Sequence, residues 1–208
     1  MDVGQPHRAV SPSLDSDVLV ALAGVETELT EGELAGLLTG SERGLSDALS
    51  RLVDQGIVLR RDAGPARLHQ LNRDHVAAAV VLEMAKLRFR LLARLRYTLG
   101  LWDPAPLHAS LFGDAACGTG DASCAIDLLL IARDTDIADE RWLDQVDGLR
   151  EDVHRWTGNG VQLVVLSDSE RLDLLHDDGP DALLPNVRAD AVDLAGEPAA
   201  QFLRLPTG

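Results

Sequence analysis

Aromatic residues are scarce. Phe, Trp and Tyr together make up 3% of the 208 residues. A core built on stacked rings is excluded, so packing has to come from aliphatic side chains, chiefly Leu, Val and Ala, within an apolar share of 46%. Cysteine is almost missing. Two residues, Cys117 and Cys124, cannot make a disulfide framework, and they read as buried, reduced thiols of a cytoplasmic protein. No apolar stretch approaches the roughly 20 residues that span a bilayer, so no membrane partner is expected. The opening "MDVGQPHRAVSPSLDSD" lacks the basic-then-apolar layout of a signal peptide.

Positive charge is also in short supply: 19 Lys and Arg face 34 Asp and Glu, for a net charge of −15. The deficit is uneven. Residues 101–208 carry 7 Arg against 21 Asp and Glu, whereas residues 74–100 carry five cations, Lys86, Arg88, Arg90, Arg94 and Arg96, against Asp74 and Glu83. An acidic second half repels polyanions, so any nucleic-acid contact is expected in the first half.

What is present in the first half is a succession of capped helices. After a Pro- and Ser-containing leader, Leu14, Val18, Leu19 and Leu22 mark a helix that stops near Gly24. Thr30 with Glu33 three residues on fits a capping box. Leu34, Leu37 and Leu38 then supply an apolar face, and Gly40 ends that helix. Ser41 caps a third helix in which Leu45, Leu49 and Leu52 share one face. The opposite face presents Arg43, Ser46, Asp47, Ser50 and Arg51. Gly56 ends the helix. Ile57 to Arg60 and Arg67 to Leu71 read as two short strands around the turn Asp62-Ala63-Gly64-Pro65. Three helices followed by a basic hairpin resemble the winged helix-turn-helix of bacterial transcription regulators, over residues 14–73. The resemblance implies a third helix in the major groove and a wing against phosphates or the minor groove. Double-stranded DNA is then the partner, and Arg43, Ser46, Ser50, Arg51, Arg60, Arg61 and Arg67 are the DNA-binding residues. Glu42, Asp47 and Asp54 oppose phosphate contacts on the same helix.

Residues 74–100 read as one connecting helix of about 25 residues, capped by Asn72 or Asp74. Val80, Met84, Leu87, Leu91, Leu95 and Leu99 recur at helical spacing up to Gly100. The helix packs on both halves or forms a homodimer seam.

The second half begins with "PLHASLF" and continues as "LFGDAACGTGDASCAIDLLLI", which reads as strand, glycine loop and buried strand. Trp142, Val146, Leu149, Val153 and Trp156 mark an amphipathic helix ending at "TGNG", and "VQLVVL" is a third strand. Acidic helical segments follow in "SERLDLLHDD" and "DALLPNVRADAV". Here Leu111, Phe112, Gly113, Asp114, Ala115, Ala116, Cys117 and Gly118, with Cys124, Ala125, Ile126, Asp127 and Leu128 beyond, resemble the signature of a minimal nucleotidyltransferase of the DNA polymerase beta superfamily. The resemblance spans about residues 105–170. In that family a Gly-Ser turn closes on a triphosphate, and two aspartates two apart on a strand, with a third carboxylate nearby, hold Mg²⁺. The nucleotide loop maps to Gly113, Asp114, Gly118 and Asp127.

This chain departs from that pattern. Asp114 stands for the serine, Cys117 for the arginine, Ala125 for the first metal aspartate and Gln162 for the third carboxylate. Asp127 alone remains of the metal ligands, so no catalytic residue, no metal and no cofactor are assigned. Mg²⁺ enters only if the transferase reading holds, with Asp121 and Asp114 as the replacement pair. Cys117, Cys124 and His108 make a poor zinc set, a redox switch between the two cysteines is an alternative use for them, and His69, His75, His154 and His176 are scattered.

The expected fold class is therefore α/β, α+β overall. Residues 1–13 form a disordered leader, 14–73 a winged helix, 74–100 a connecting helix and 101–208 a small nucleotidyltransferase-like mixed sheet with helices. The expected function is a dimeric DNA-binding transcriptional regulator. Its degenerate second domain senses a small-molecule or nucleotide ligand, or contacts protein. An active nucleotidyltransferase of toxin–antitoxin type and a non-catalytic interaction protein are the alternatives.

Overall fold

The computed structural model describes residues 1–175 and 183–204. His176 and residues 177–182 of the acidic stretch lie outside the described residues. The chain is a mixed α/β protein with two sheets. It divides into two compact units. One is Gln5–Phe89, and the other joins Met1–Gly4 to Arg90–Gly208.

The first unit opens with a 3-10 turn, Pro6–Ala9. Its elements are α1 (Leu14–Ala23), β1 (Leu29–Thr30), α2 (Glu31–Leu37), α3 (Glu42–Asp54), β2 (Val58–Ala63), β3 (Ala66–Leu71) and α4 (Ala78–Ala85). The caps do what their chemistry predicts. Ser13, Thr30 and Ser41 each accept a backbone N–H in the first turn of α1, α2 and α3. Glu33 returns a hydrogen bond to the Thr30 backbone and completes the capping box. Gly56 after α3 and Gly64 in the hairpin adopt positive φ, the conformation that favours glycine there. The sheet order is β1-β3-β2, antiparallel throughout. Val18, Leu22, Leu34, Leu45, Leu49, Leu52, Val58, Leu71 and Val81 form the core.

Three expectations need correction in this unit. The leader is ordered: His7 is buried, and Arg8 and His7 both bind the Asp17 carboxylate, Arg8 with two hydrogen bonds. Leu37 is exposed, because in a seven-residue helix Leu34 and Leu38 take the core-facing side, one turn apart. The connecting helix is broken. Asn72 caps a turn rather than a helix, accepting from the Asp74 N–H while donating to the Gly56 carbonyl. α4 then stops at Lys86, whose N–H reaches the carbonyl of Glu83 as well as Met84, a tightened last turn. α5 (Leu87–Gly100) starts afresh, and the division between the units falls inside it.

The second unit continues with β4 (His108–Phe112), α6 (Gly113–Cys117), β5 (Ile126–Ala132), α7 (Glu140–Thr157), β6 (Val161–Ser167), α8 (Asp168–Leu174), α9 (Leu183–Asp190), β7 (Val192–Gly196) and α10 (Ala199–Phe202). The sheet order is β6-β5-β4-β7. β5 and β6 run parallel, and the other pairs are antiparallel. The unbroken apolar run of β5 follows from its central place. Ile126, Leu128 and Leu130 face one core with Trp142, Leu149 and Leu95, while Leu129 and Ile131 face another with Leu184, Val187 and Leu203. A strand buried on both faces loses the polar alternation of a half-exposed one. The glycine stretch is not all loop, since its first five residues coil into α6, and β7 replaces the end of an expected helical segment.

Candidate functional site

Two sets of residues carry the candidate chemistry, one in each unit. In the first, α3 buries Leu45, Ala48, Leu49 and Leu52 and leaves Arg43, Asp47, Ser50 and Arg51 exposed, with Ser46 half-buried. The hairpin exposes Arg60, Arg61 and Arg67. Three of the five arginines are already engaged. Arg51 makes two hydrogen bonds to Asp15 of α1, at 2.6 and 3.2 Å. Arg61 makes two to Glu28, one of them at 2.9 Å, and this pairing lowers the Glu28 carboxyl below its ordinary value. Arg67 lies 3.6 Å from Glu31. Arg43 and Arg60 have no ion-pair partner among the described residues. These carboxylate partners sit 33 to 36 residues away in the two closest pairs, beyond the reach of local pattern reading.

His69 is a further residue that pattern reading passed over. It is 1% exposed in the central strand β3, between Leu29 and Arg60 in register. Its Nδ1 has no partner among the described residues. Burial lowers its pKa, Glu31 and the Leu29 backbone oppose that, and Arg60 and Arg67 add to it.

The second set surrounds the glycine stretch. Gly113 has φ +66°, and a Cβ there would come within 2.8 Å of the Asp127 carboxylate, so both conformation and space require glycine. Gly118 ends α6 in the left-handed conformation and donates its N–H to the Asp114 carbonyl. Thr119 and Gly120 donate to the same oxygen, so one carbonyl gathers the start of the loop. Asp127 heads β5 with Phe112 opposite on β4 and Gln162 opposite on β6. The position that the transferase resemblance assigns to a third carboxylate thus lies directly across from Asp127 and holds an amide. Burial, and then the charge of nearby Asp114, raises the Asp127 pKa.

No family model matches the chain, and no curated protein matches it.

The donor set around Asp127 does not suit Mg²⁺. Asp114 and Asp127 repel each other, Gln162 is neutral, and no group of three or more metal-ligating side chains forms among the described residues. A hard divalent cation takes several oxygen ligands, and a two-metal site needs more carboxylates than these. Asp121 is not aimed by a strand. Its carboxylate accepts from Ser123 N and Oγ, at 2.7 and 2.6 Å, and these bonds hold its pKa down. His108, Cys117 and Cys124, already a poor zinc set in the sequence, form no metal-ligating group among the described residues. His108 is fully buried with Nδ1 on the Glu197 carbonyl and Nε2 on Ser110 Oγ. Cys117 is exposed and Cys124 half-buried, which corrects the expectation of two buried thiols. α6 is too short to bury its last residue, and Cys124 sits in the loop with Sγ 3.5 Å from Asp121.

Proposed function

We propose that the chain is a transcriptional regulator that binds double-stranded DNA through α3 and the β2–β3 hairpin. Its second unit is a nucleotidyltransferase-like scaffold without transfer chemistry, used for a small-molecule or nucleotide ligand or for protein contacts. The observation that carries this reading is the order α1-β1-α2-α3-β2-β3 with sheet order β1-β3-β2. A winged helix-turn-helix uses that arrangement to place its third helix in the major groove and its hairpin beside the backbone. Arg43, Ser46 and Ser50 then face base edges and Arg60 a phosphate. Arg51, Arg61 and Arg67 reach phosphates by exchanging one oxyanion for another. Exposed ion pairs contribute little to stability, so a phosphate displaces the carboxylate at small cost.

The second unit supports the non-catalytic half of the reading. Where phosphoryl transfer needs cations gathered by carboxylates, this site offers two repelling aspartates and an amide.

The experiment is selection of bound genomic fragments by the full chain, followed by salt titration on the fragments recovered. Preferred fragments are expected, with log affinity falling linearly in log salt. Arg60→Ala should reduce that slope by about 0.9 without changing sequence preference. Arg43→Ala should relax preference at one base position, by roughly 1–3 kcal/mol. Affinity without salt dependence and without preferred fragments would reject the proposal. Incubation with the four ribonucleoside triphosphates and Mg²⁺ or Mn²⁺ should label neither protein nor RNA. Labelling abolished by Asp127→Ala would replace the regulator with an active transferase.

A further inference from the structure

The first four residues do not belong with the unit that follows them. Met1–Gly4 pack in the second unit, and the chain enters the first unit only at Gln5. Val3 is 3% exposed within the Trp142–Leu149 core, and Met1 packs against the same cluster. Gly4 lies so close to the Gly118 carbonyl that any Cβ would overlap it. Asn159 reads the backbone of the first residue of this segment. Asn159, 2% exposed, accepts from the Met1 amino group through Oδ1 at 2.6 Å and donates through Nδ2 to the Met1 carbonyl at 3.0 Å. The Thr157 carbonyl takes a further hydrogen bond from the same amino group at 3.1 Å.

The same amide also holds the glycine loop. Asn159 Nδ2 donates to the Cys124 carbonyl at 2.9 Å and lies 3.5 Å from that of Ala122. Asn159 is itself fixed in place. Its N–H donates to Thr157 Oγ1, and its carbonyl meets His154 Nδ1 at 2.8 Å. A side-chain amide has two N–H donors and one carbonyl acceptor. Here that small inventory is divided between the segment 1–4 and the loop 118–125. The loop is touched at both ends, by Gly4 on Gly118 and by Asn159 on Cys124.

We infer that Met1–Gly4 is a built-in peptide ligand seated in a cradle made by Thr157, Asn159 and Gly118, and that its seating orders the glycine loop. The ligand class is a short extended peptide. Asn159 reads its first residue, an apolar third side chain enters the core, and a residue without a Cβ must follow. The cradle lies within the second unit, so the inference stands whether or not the first unit binds DNA.

The test is hydrogen exchange of the full chain read by mass spectrometry. In Gly4→Leu the segment cannot seat, and amides of residues 118–125 should exchange at least tenfold faster while those of β5 keep their protection. Val3→Ser, a milder change that removes the core anchor, should act in the same direction. The synthetic tetrapeptide Met-Asp-Val-Gly carboxamide at millimolar concentration should restore slow exchange in the loop of Gly4→Leu. Loop exchange within twofold of the parent in both variants, with β5 still protected, would overturn the inference. Failure of the tetrapeptide to restore protection would overturn it equally.

Discussion

At the scale of single residues, the candidate sites are shaped by carboxylates. Glu28 holds Arg61, and the pair is exposed. Glu28→Gln leaves the fold of the hairpin intact and frees one guanidinium. On the regulator reading, DNA affinity should rise several-fold at low salt, with the gain fading as salt is raised. Unchanged affinity, measured by fluorescence anisotropy on a selected fragment, would show that Arg61 makes no phosphate contact. Asp127 has the opposite character. Its pKa is raised, so the stability it contributes is complete below the ordinary carboxyl value of 3.8 and is lost as pH rises through the folded value. At neutral pH the ionised group is a burden on the fold. Asp127→Asn should therefore raise the urea midpoint at pH 7, with the advantage shrinking toward pH 4. A midpoint that falls at pH 7 would mean that the carboxylate has a partner that stabilises its charge.

At the scale of elements, β3 couples the hairpin to the core. His69 and Leu71 are buried from it while Arg67 is exposed on the same strand. The His69 pKa is lowered by burial, so its contribution is full above the ordinary imidazole value of 6.5 and declines as pH falls through 6.5 toward the folded value. Protection factors of β2 and β3 amides, which are corrected for the intrinsic slowing of exchange at lower pH, should fall between pH 7 and pH 5. His69→Leu should remove most of the fall, and an identical fall in the variant would place the sensitivity elsewhere. Much at this scale was legible beforehand. The caps at Thr30 and Ser41, the stops at Gly56 and Gly158, and the twofold-buried β5 all announce themselves in local spacing. β1 does not, because two residues carry no periodicity. β7 does not, because Val192 and Leu194 are too few apolar positions to separate a strand from the helix before it. The break at Lys86 has no proline or glycine to mark it. In the candidate site, Gly113, Gly118 and Asp127 could be placed from the chain alone, and Gln162 could be named for the third carboxylate, but its register opposite Asp127 comes from the structure. The arginine–carboxylate pairs and the cradle at Asn159 could not, since each joins residues far apart in sequence.

At the scale of the whole molecule, the acidic surplus belongs mainly to residues 101–208, and no helix among the described residues is long and apolar enough to cross a membrane. α5 buries Leu91, Leu95 and Leu99 and exposes Tyr97 at 70%, with Leu101 just past its end at 67%. Tyr97 lies in the last turn of α5 and Leu101 one residue past its end. On the regulator reading, these two exposed side chains are offered to a second copy, as paired half-sites would require. Sedimentation should show a dimer that Tyr97→Glu converts to monomer, and a monomeric parent would remove the assignment. The Met1–Gly4 segment has one more consequence, which concerns synthesis. Its cradle is completed by Asn159, 158 positions along the chain. At about 5–20 residues per second, residues 1–4 must wait on the order of ten seconds after their own synthesis for the last part of their seat to emerge. During that interval residues 5–89 can fold while the unit that claims both flanks of this segment is still incomplete.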